Sequence, residues 1–494
     1  MALPRPYQML KPGDLLVLRR SMWGQVRRWI PLLVGLFALM VYWLTLAPDL
    51  TWAHHGSDGG DLIASSYSGG AAHPPGYPLY SLLGRVMAAV PIGSIPYRYN
   101  LLSALAAVGA AALVAWAVEE NGTLPLLVAG LSFAFVPLVW SQAVITEVYA
   151  LLALMAALIV GLSLRSKPRP LMLGAALGLG LTHHLTLIAL APLTLEALRR
   201  WAKEQSARTV IARGATGFLI GLLPLAYLPF TSSAPLGWGD ASTLKGFWWL
   251  VSAELYRGYA FALPRPWIGQ RIASVARLLA DSFTWMGVIV GLWGFVALHE
   301  RDNRRAINSL VAVLALAIFA VGYNTSDSQV YLIPALVVFA VWIGMGWSSL
   351  RSIPISARAA NVARGGLAVL MFALPAFMLA RNWSAQDLRA DRAARDFVKG
   401  VMNEAPPRAI VATSDEHHTF ALWVGVFVER RRTDLAVVDQ DLLGYDWYNA
   451  RLQRGFGLVV EDAQEVDELA RLNPGRPVSR PTGTSSPWLA CGDK

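Results

Sequence analysis

Long apolar runs recur along this chain, and they limit it more than any other feature. The first extends from about Ile30 to Ala47. Others lie near 100–118, 124–140, 147–164, 210–229, 281–298, 306–323, 330–349 and 364–380. A run of roughly 18 apolar residues is what a helix needs to cross the hydrocarbon core of a bilayer. One such run is compatible with a signal peptide or a single anchor, but many are not. Only 15% of the 494 residues are charged and 55% are hydrophobic, against about 25% charged in soluble domains. The deficit therefore reads as lipid contact rather than as a larger core. The net charge of +10 raises the question of nucleic acid. However, the Lys and Arg residues gather in short loops, where they orient membrane helices, and no zinc-finger or RNA-binding signature accompanies them. No nucleic-acid partner is expected. The single Cys491 excludes an internal disulfide framework and a Cys-based zinc site.

The basic residues predict a topology. Lys11, Arg19, Arg20, Arg27 and Arg28 in segment 1–29 place the N-terminus in the cytoplasm. No A-x-A-like site follows the first run, so it is read as a retained helix. The clusters at Arg165/Lys167/Arg169, Arg199/Arg200/Lys203/Arg208, Arg301/Arg304/Arg305 and Arg351/Arg358/Arg364 fit one alternating scheme on one condition. Segment 171–198 must cross an even number of times, and it is too short for two full spans of roughly 20 residues each. Two half-thickness helices are expected there. Their tip, Leu181-Thr182-His183-His184, would be held in protein or a wet cavity, since bare backbone is not tolerated in lipid. The fold expected is an all-α polytopic bundle of about eleven transmembrane helices, N-terminus inside and C-terminus outside. Segments 49–99, 230–280 and 381–494 then lie on the far face. The last is rich in charge and carries two β-like runs, Ala409–Ala412 and Leu435–Val438, around an amphipathic stretch from about His418 to Arg430. That pattern predicts a small extracytoplasmic α/β domain over 381–494, following a transmembrane domain over 30–380. The compact loops suit a prokaryotic cell membrane. The ends, 1–10 and 475–494, read as loose.

The candidate chemistry lies on the outer side. Asp58-Gly59-Gly60-Asp61 puts two carboxylates three apart, on one face if the segment is helical. They could share a divalent metal, supply a general base, or form a solvated turn. His73-Pro74-Pro75-Gly76-Tyr77-Pro78 is a rigid turn leading into a helix from about Leu79 to Val90, which is too short to span and is expected along the interface. Arg98-Tyr99-Asn100 opens the second span, where an Arg can hold a lipid phosphate or simply snorkel. Glu147, in Glu147-Val148-Tyr149, would face the same side as Asp58. Glu147, Thr182, His183 and His184 are polar residues at membrane depth, which are expensive to keep there and usually functional. The loop 230–280 holds Trp238-Gly239-Asp240, Trp248-Trp249 and Tyr256-Arg257-Gly258-Tyr259. These are either interfacial aromatics or a substrate lid whose rings stack on sugars.

In series, Asp58-Gly59-Gly60-Asp61, His73-Pro74-Pro75-Gly76-Tyr77-Pro78-Leu79, Arg98-Tyr99-Asn100-Leu101-Leu102-Ser103, Trp140-Ser141-Gln142-Ala143 and Glu147-Val148-Tyr149-Ala150 resemble one family. This is the transmembrane O-mannosyltransferase family of the GT-C class, whose animal member modifies plexin-type receptor domains. Ser414-Asp415 and Trp447-Tyr448 look similar to the tail of its prokaryotic relatives. Where that family commonly has Asp-Ser-Gly-Glu, this chain keeps the acidic pair with a shorter second side chain, Asp61. The resemblance implies a GT-C bundle and a polyprenyl-phosphate sugar donor. It further implies inverting transfer of a hexose to a hydroxyl on a protein or envelope glycan, with membrane lipid as surroundings. It carries Asp58 over as the base, with Asp61 and Glu147 as further catalytic candidates. Arg98 becomes the donor-phosphate candidate and His73 a supporting candidate. The residues themselves add Tyr77, Asn100, His183, His184, Trp238 and Arg257, with His73, as substrate-binding candidates. A divalent metal stays an option. The competing readings are a flippase or transporter of lipid-linked glycans and a partner-binding scaffold. The first is disfavoured because no repeat is evident and the acids lie at one surface rather than at the midplane.

Overall fold

The computed structural model describes residues 12–118, 122–352, 357–461 and 463–481; Cys491 and the terminal stretches 1–10 and 482–494 lie outside the described residues. The first half runs α1 (Pro12–Thr45), α2 (Gly59–Ser68), α3 (Pro78–Ala88), α4 (Ile95–Ala117), α5 (Thr123–Ala134), α6 (Pro137–Ala143), α7 (Tyr149–Leu164), α8 (Pro170–Leu181), α9 (Ala191–Trp201) and α10 (Ala207–Gly221). Then follow α11 (Leu244–Val251), α12 (Arg265–Arg301), α13 (Asn303–Gly322), α14 (Ile333–Arg351), α15 (Ala357–Gln386) and α16 (Ala393–Glu404). The tail adds β1 (Ile410–Thr413), α17 (Glu416–Trp423), β2 (Ala436–Asp439), α18 (Asp446–Phe456), α19 (Val466–Leu472) and β3 (Val478–Ser479).

Among the described residues, seven helical stretches are long and apolar enough to cross a membrane, or eight if α5 and α6, bent by 66° at their junction, form one span. The expected eleven, which included two half-thickness helices, is not confirmed by this count of long helices. Pro137 at the start of α6 lacks the N–H that would continue α5, and this accounts for the bend. The helices α7 and α8 are apolar but have only 16 and 12 residues. That is about 24 and 18 Å at 1.5 Å per residue, short of a hydrocarbon core of about 30 Å. Residues 144–148 stay out of α7, and that irregular stretch carries Glu147. The bundle is organised around α14, whose apolar window is 89% buried, whereas the stretch containing α10 is 22% buried and leaves its apolar side chains outward. Leu32, Leu33, Leu36, Met40 and Trp43 on α1 are likewise exposed, as a lipid-facing surface requires.

The break predicted near Leu181–His184 is present, between α8 and a 3₁₀ turn over Leu185–Leu190. The two short helices expected around it are α8 and α9, of 12 and 11 residues, and they pack mainly on other helices. α8 packs mainly on α10, and α9 on α13 and α7. The reason is the small-residue face of α8: a Cβ on Gly174 would stand 2.0 Å from the Gly214 carbonyl oxygen, so only glycine lets the two backbones approach this closely. Loop 230–280 is also more helical than expected. α12 begins at Arg265 and continues to Arg301, broken at Thr284, where φ is +60°.

In the tail the two β-like runs become β1 and β2, and β3 joins them in a parallel sheet ordered β2-β1-β3. The stretch between β1 and β2 is helical from Glu416 to Val428, close to the helix expected from about His418 to Arg430, but it is not amphipathic. α17 ends at Trp423 and a wider turn follows to Val428. Thr419 through Val426 are buried, because α17 is covered by the sheet on one side and by α2 on the other. The approach to α2 is tight at Gly60, where a Cβ would lie 2.5 Å from the Phe420 carbonyl. The tail therefore roofs the helix that carries Asp61.

Candidate functional site

The chain enters α2 through a turn in which His54 and His55 are left-handed (φ 57° and 62°), a costly backbone that clusters at functional sites. Asp58 occupies the cap position of α2 but makes no capping hydrogen bond, so its carboxylate is not occupied in the usual way for that position. Asp61 follows one turn later. It is sealed, and its carboxylate accepts four hydrogen bonds. Oδ1 receives Ser65 Oγ at 2.7 Å and Trp238 Nε1 at 3.0 Å. Oδ2 receives the His73 backbone N–H at 2.9 Å and faces His73 Nδ1 at 2.8 Å. The remaining ring nitrogen of His73, Nε2, lies 3.6 Å from Asp58 Oδ2. Side-chain exposure rises along this series, from 0% for Asp61 through 6% for His73 to 33% for Asp58. Only the last carboxylate is open to a second molecule.

Local sequence explains how distant parts meet here. A Cβ on Gly70 would lie 1.9 Å from the Leu236 carbonyl oxygen. The bare backbone thus lets segment 70–72 run beside 236–238, with Trp238 N–H donating to the Ala71 carbonyl at 3.0 Å. That pairing delivers the Trp238 indole to Asp61. Electrostatics follow from the enclosure. Burial alone would lower the His73 pKa, but Asp58 and Asp61 outweigh it and raise it to about 9. Burial raises the Asp58 pKa, with His73 opposing and the charges of Asp327 and Asp61 adding to the rise.

Two cavities flank this group. One, of about 450 Å³, is mostly apolar; Pro75, Tyr77, His184, Tyr256, Phe319 and Tyr331 line it, and Arg257 also contributes. Tyr77, left-handed at φ 39°, sets its ring 5.2 Å from His73 and 5.8 Å from His183, and Tyr256 lies 6.3 Å from His73. His184 packs against Tyr331 and Tyr149, with Thr186 hydrogen-bonded to its Nδ1. His183 is fully buried, its Nε2 2.8 Å from the Val148 carbonyl. The second cavity, about 840 Å³, lies between segment 229–249 and α18. Trp447 lines it and packs on Trp238 at 5.4 Å.

The structure gives several of the sequence candidates other work. Arg98 donates to the carbonyls of Ala88, Ile92 and Gly93, so its guanidinium closes the end of α3 rather than standing ready for a phosphate. Asn100 is buried and fully engaged: Nδ2 donates to the carbonyls of Ala47 and Asp49, and Oδ1 accepts from Thr146. It pins α4 to the end of α1 and to the stretch before α7. Trp238 is buried with its indole N–H on Asp61, so it does not offer an open face to a sugar. Glu147 is buried beside this group. Its Oε2 accepts the Val148 N–H at 3.1 Å, and its charge acts on His73. Arg257 is open, bonded to Ser252 and near Glu254.

Three contributors were not singled out from the sequence. Asp327 acts electrostatically on Asp58, Tyr331 walls the apolar cavity, and Glu416 opens α17 above the site. Glu416 reaches solvent, yet the protein packed around it desolvates its charge and Asp58 repels it, which raises its pKa to about 7. Asp327 and Tyr331 come from one segment and Glu416 from another, both remote in sequence from Asp58, so no local motif marks them. A divalent metal finds few ligands here. Among the described residues no three His, Cys, Asp or Glu side chains are grouped to hold one.

Comparison with known proteins agrees with this picture. Residues 58–206 match the protein O-mannosyl-transferase TMEM260 N-terminal domain, and residues 394–457 match TMEM260-associated domain 2. The chain is 28% identical to the protein O-mannosyl-transferase TMEM260 of Mus musculus, over 85% of this chain and 64% of that protein. It is 19% identical to the Dictyostelium discoideum protein of the same name, over 83% of this chain and 57% of the relative. The chain thus spans less than two thirds of the length of either. In fold it is similar to ArnT from Cupriavidus metallidurans bound to undecaprenyl phosphate, with a TM-score of 0.58, 13% identity, and coverage of 91% of this chain and 89% of that one. The apo state of the same protein gives a TM-score of 0.54, with 13% identity over 84% and 90% of the two chains. In sequence the chain is thus similar to the TMEM260 protein O-mannosyl-transferases, as its motifs suggested, and in fold to ArnT.

Proposed function

We propose that this chain transfers a hexose, with mannose favoured by the names of its relatives, from a polyprenyl-phosphate donor to a hydroxyl on a protein, with an envelope glycan as the other acceptor class. Transfer proceeds with inversion on the extracytoplasmic side. The observation that carries the reading is Asp58: a partly open carboxylate, fixed from behind by the His73–Asp61 pair, one side chain from an apolar cavity.

The geometry suits the chemistry. A hydroxyl is a weak nucleophile until a base takes its proton. Asp58 accepts that proton as the hydroxyl oxygen attacks the anomeric carbon. The bond from that carbon to the phosphate oxygen breaks on the opposite face, and its electron pair leaves with the polyprenyl phosphate. The raised pKa of Asp58 makes it a stronger base than an exposed carboxylate. Asp61, sealed and satisfied, acts as a positioning residue that orients His73, and His73 in turn holds Asp58. The apolar cavity takes the first prenyl units. Arg257 at its wall replaces Arg98 as the cation for the departing phosphate, while Tyr77 and His184 shape the passage between them. His183 and Glu147 back this wall, Glu147 being next in line as base. The tail over 381–494 is read as an extracytoplasmic α/β domain above the site.

The test is single-turnover transfer from synthetic polyprenyl-phospho-mannose to a protein acceptor by purified wild type and Asp58→Asn. The reading expects transfer by the wild type and a loss of about 100-fold in the variant, the scale of a general base. A nucleotide sugar serving equally well as donor would defeat it.

A further inference from the structure

The larger cavity is not used by this reaction scheme. It holds about 840 Å³ between segment 229–249 and α18, within the range of small-ligand and peptide-side-chain pockets of about 300–1,000 Å³. Its inner wall is aromatic: Trp447 lies 6.0 Å from Trp249 and 5.7 Å from Tyr445, with Trp249 and Tyr445 6.4 Å apart. Ser233, Ser242 and Thr243 line it too, and its charges are of both signs, Asp240 and Asp446 against Lys245 and Arg454. Such a lining differs from the apolar cavity in every respect that matters to a lipid. It has hydrogen-bonding groups along its length and charges of both signs, which a prenyl chain does not match.

Its position is equally informative. Trp447 packs on Trp238, and Trp238 donates to the Asp61 that holds His73. On the other side of His73 stand Tyr77 and Tyr256, which line the apolar cavity. A buried line of Trp238, Asp61 and His73 therefore runs from one cavity lining to the other. The walls of the larger one are also held firmly. Arg451 of α18, itself buried, donates to the carbonyls of Thr231, Ser232, Ala234 and Gly239, which clamps the two sides into one preformed surface.

We infer that this cleft is an exosite for the acceptor polypeptide, binding a segment adjacent in sequence to the hydroxyl that reaches Asp58. The aromatic wall takes apolar and aromatic side chains. The serines and threonine meet the peptide backbone, and the mixed charges select composition rather than a net charge. The inference rests on the transferase reading for what the captured segment is used for, but the binding itself does not need transfer.

The experiment uses the full chain in detergent and a fluorescent pool of short randomised peptides containing Ser or Thr. Saturable binding to the wild type is expected, weakened about tenfold, or about 1.4 kcal/mol, by Trp447→Ala. The surface variants Lys245→Glu, which reverses a charge, and Ser233→Trp, which fills the cleft, should weaken it as well. Undecaprenyl phosphate affinity should be unchanged in all three, which also reports intact folding. No binding by the wild type, equal binding by Lys245→Glu and Ser233→Trp, or displacement of the pool by a manno-oligosaccharide rather than by unlabelled peptide would overturn the exosite. Peptide capture that depends on the cleft without Asp58-dependent transfer would keep the exosite and remove the transferase reading. Transfer indifferent to the cleft variants would do the reverse.

Discussion

The two cavities share a wall and almost nothing else. The smaller is built from residues such as Phe319, Tyr331 and Leu316 on membrane helices and their ends, with few polar atoms. The larger is built from loop and tail, with aromatic rings set among Ser, Thr, Asp, Lys and Arg. The difference teaches how one site could serve two unlike substrates. A lipid tail is matched by removing polar groups, a polypeptide by supplying them, and the two demands conflict within one pocket. Trp238, Asp61 and His73 stand between the two linings, with Trp238 packed on Trp447 of the larger and His73 on Tyr77 of the smaller.

The comparison is broken most severely by removing the wall. Asp61→Ala leaves His73, Ser65 and the Trp238 indole without an acceptor. Breaking a buried charged pair in this way costs about 3–5 kcal/mol. A lower thermal midpoint in detergent and weaker binding on both sides are expected; an unchanged midpoint would mean the pair holds nothing together. Asp58→Asn should leave both cavities intact and affect turnover alone, by about the 100-fold given above. Phe319→Ala should act on one side only. Loss of a large apolar contact, about 1.5–3 kcal/mol, predicts roughly tenfold or weaker binding of undecaprenyl phosphate, with peptide binding unaltered. Loss on both sides would show that the cavities communicate.

The smallest effect is on pH. His73, beside Asp58 and Asp61, has a pKa raised from 6.5 to about 9 in the folded protein. Its contribution to stability is therefore fully present below about 6.5 and lost as pH rises through about 9. Melting curves should show a decline across that window, and His73→Gln should flatten it. A wild-type profile already flat there would mean that His73 is neutral in the folded state.

Much of the site was legible because its chemistry is local. Asp58 and Asp61 are one helical turn apart, and the Pro-rich run at 73–78 fixes where His73 and Tyr77 emerge. The Leu181–His184 break was legible too, since segment 171–198 is too short for two spans. Arg98 and Asn100 were misjudged for a physical reason. A polar side chain at a helix start looks the same in sequence whether it meets a ligand or a neighbouring carbonyl, and here the carbonyls take it. The irregular stretch at 144–148 that shortens α7 was not legible, because hydropathy does not register where a helix is broken.

Sequence by itself determined that the chain lies in a membrane, that its acids gather outside the apolar runs, and that β-like segments follow them, because hydropathy and periodicity are properties of neighbouring residues. That Asp61 is sealed while Asp58 is open, and that α17 roofs α2 through Gly60, follows from the three-dimensional packing. The same packing sets Trp238, Asp61 and His73 between two dissimilar cavities. Those facts depend on contacts among Asp61, Trp238, Phe420 and Trp447, residues that only the packing of remote segments brings within reach of one another.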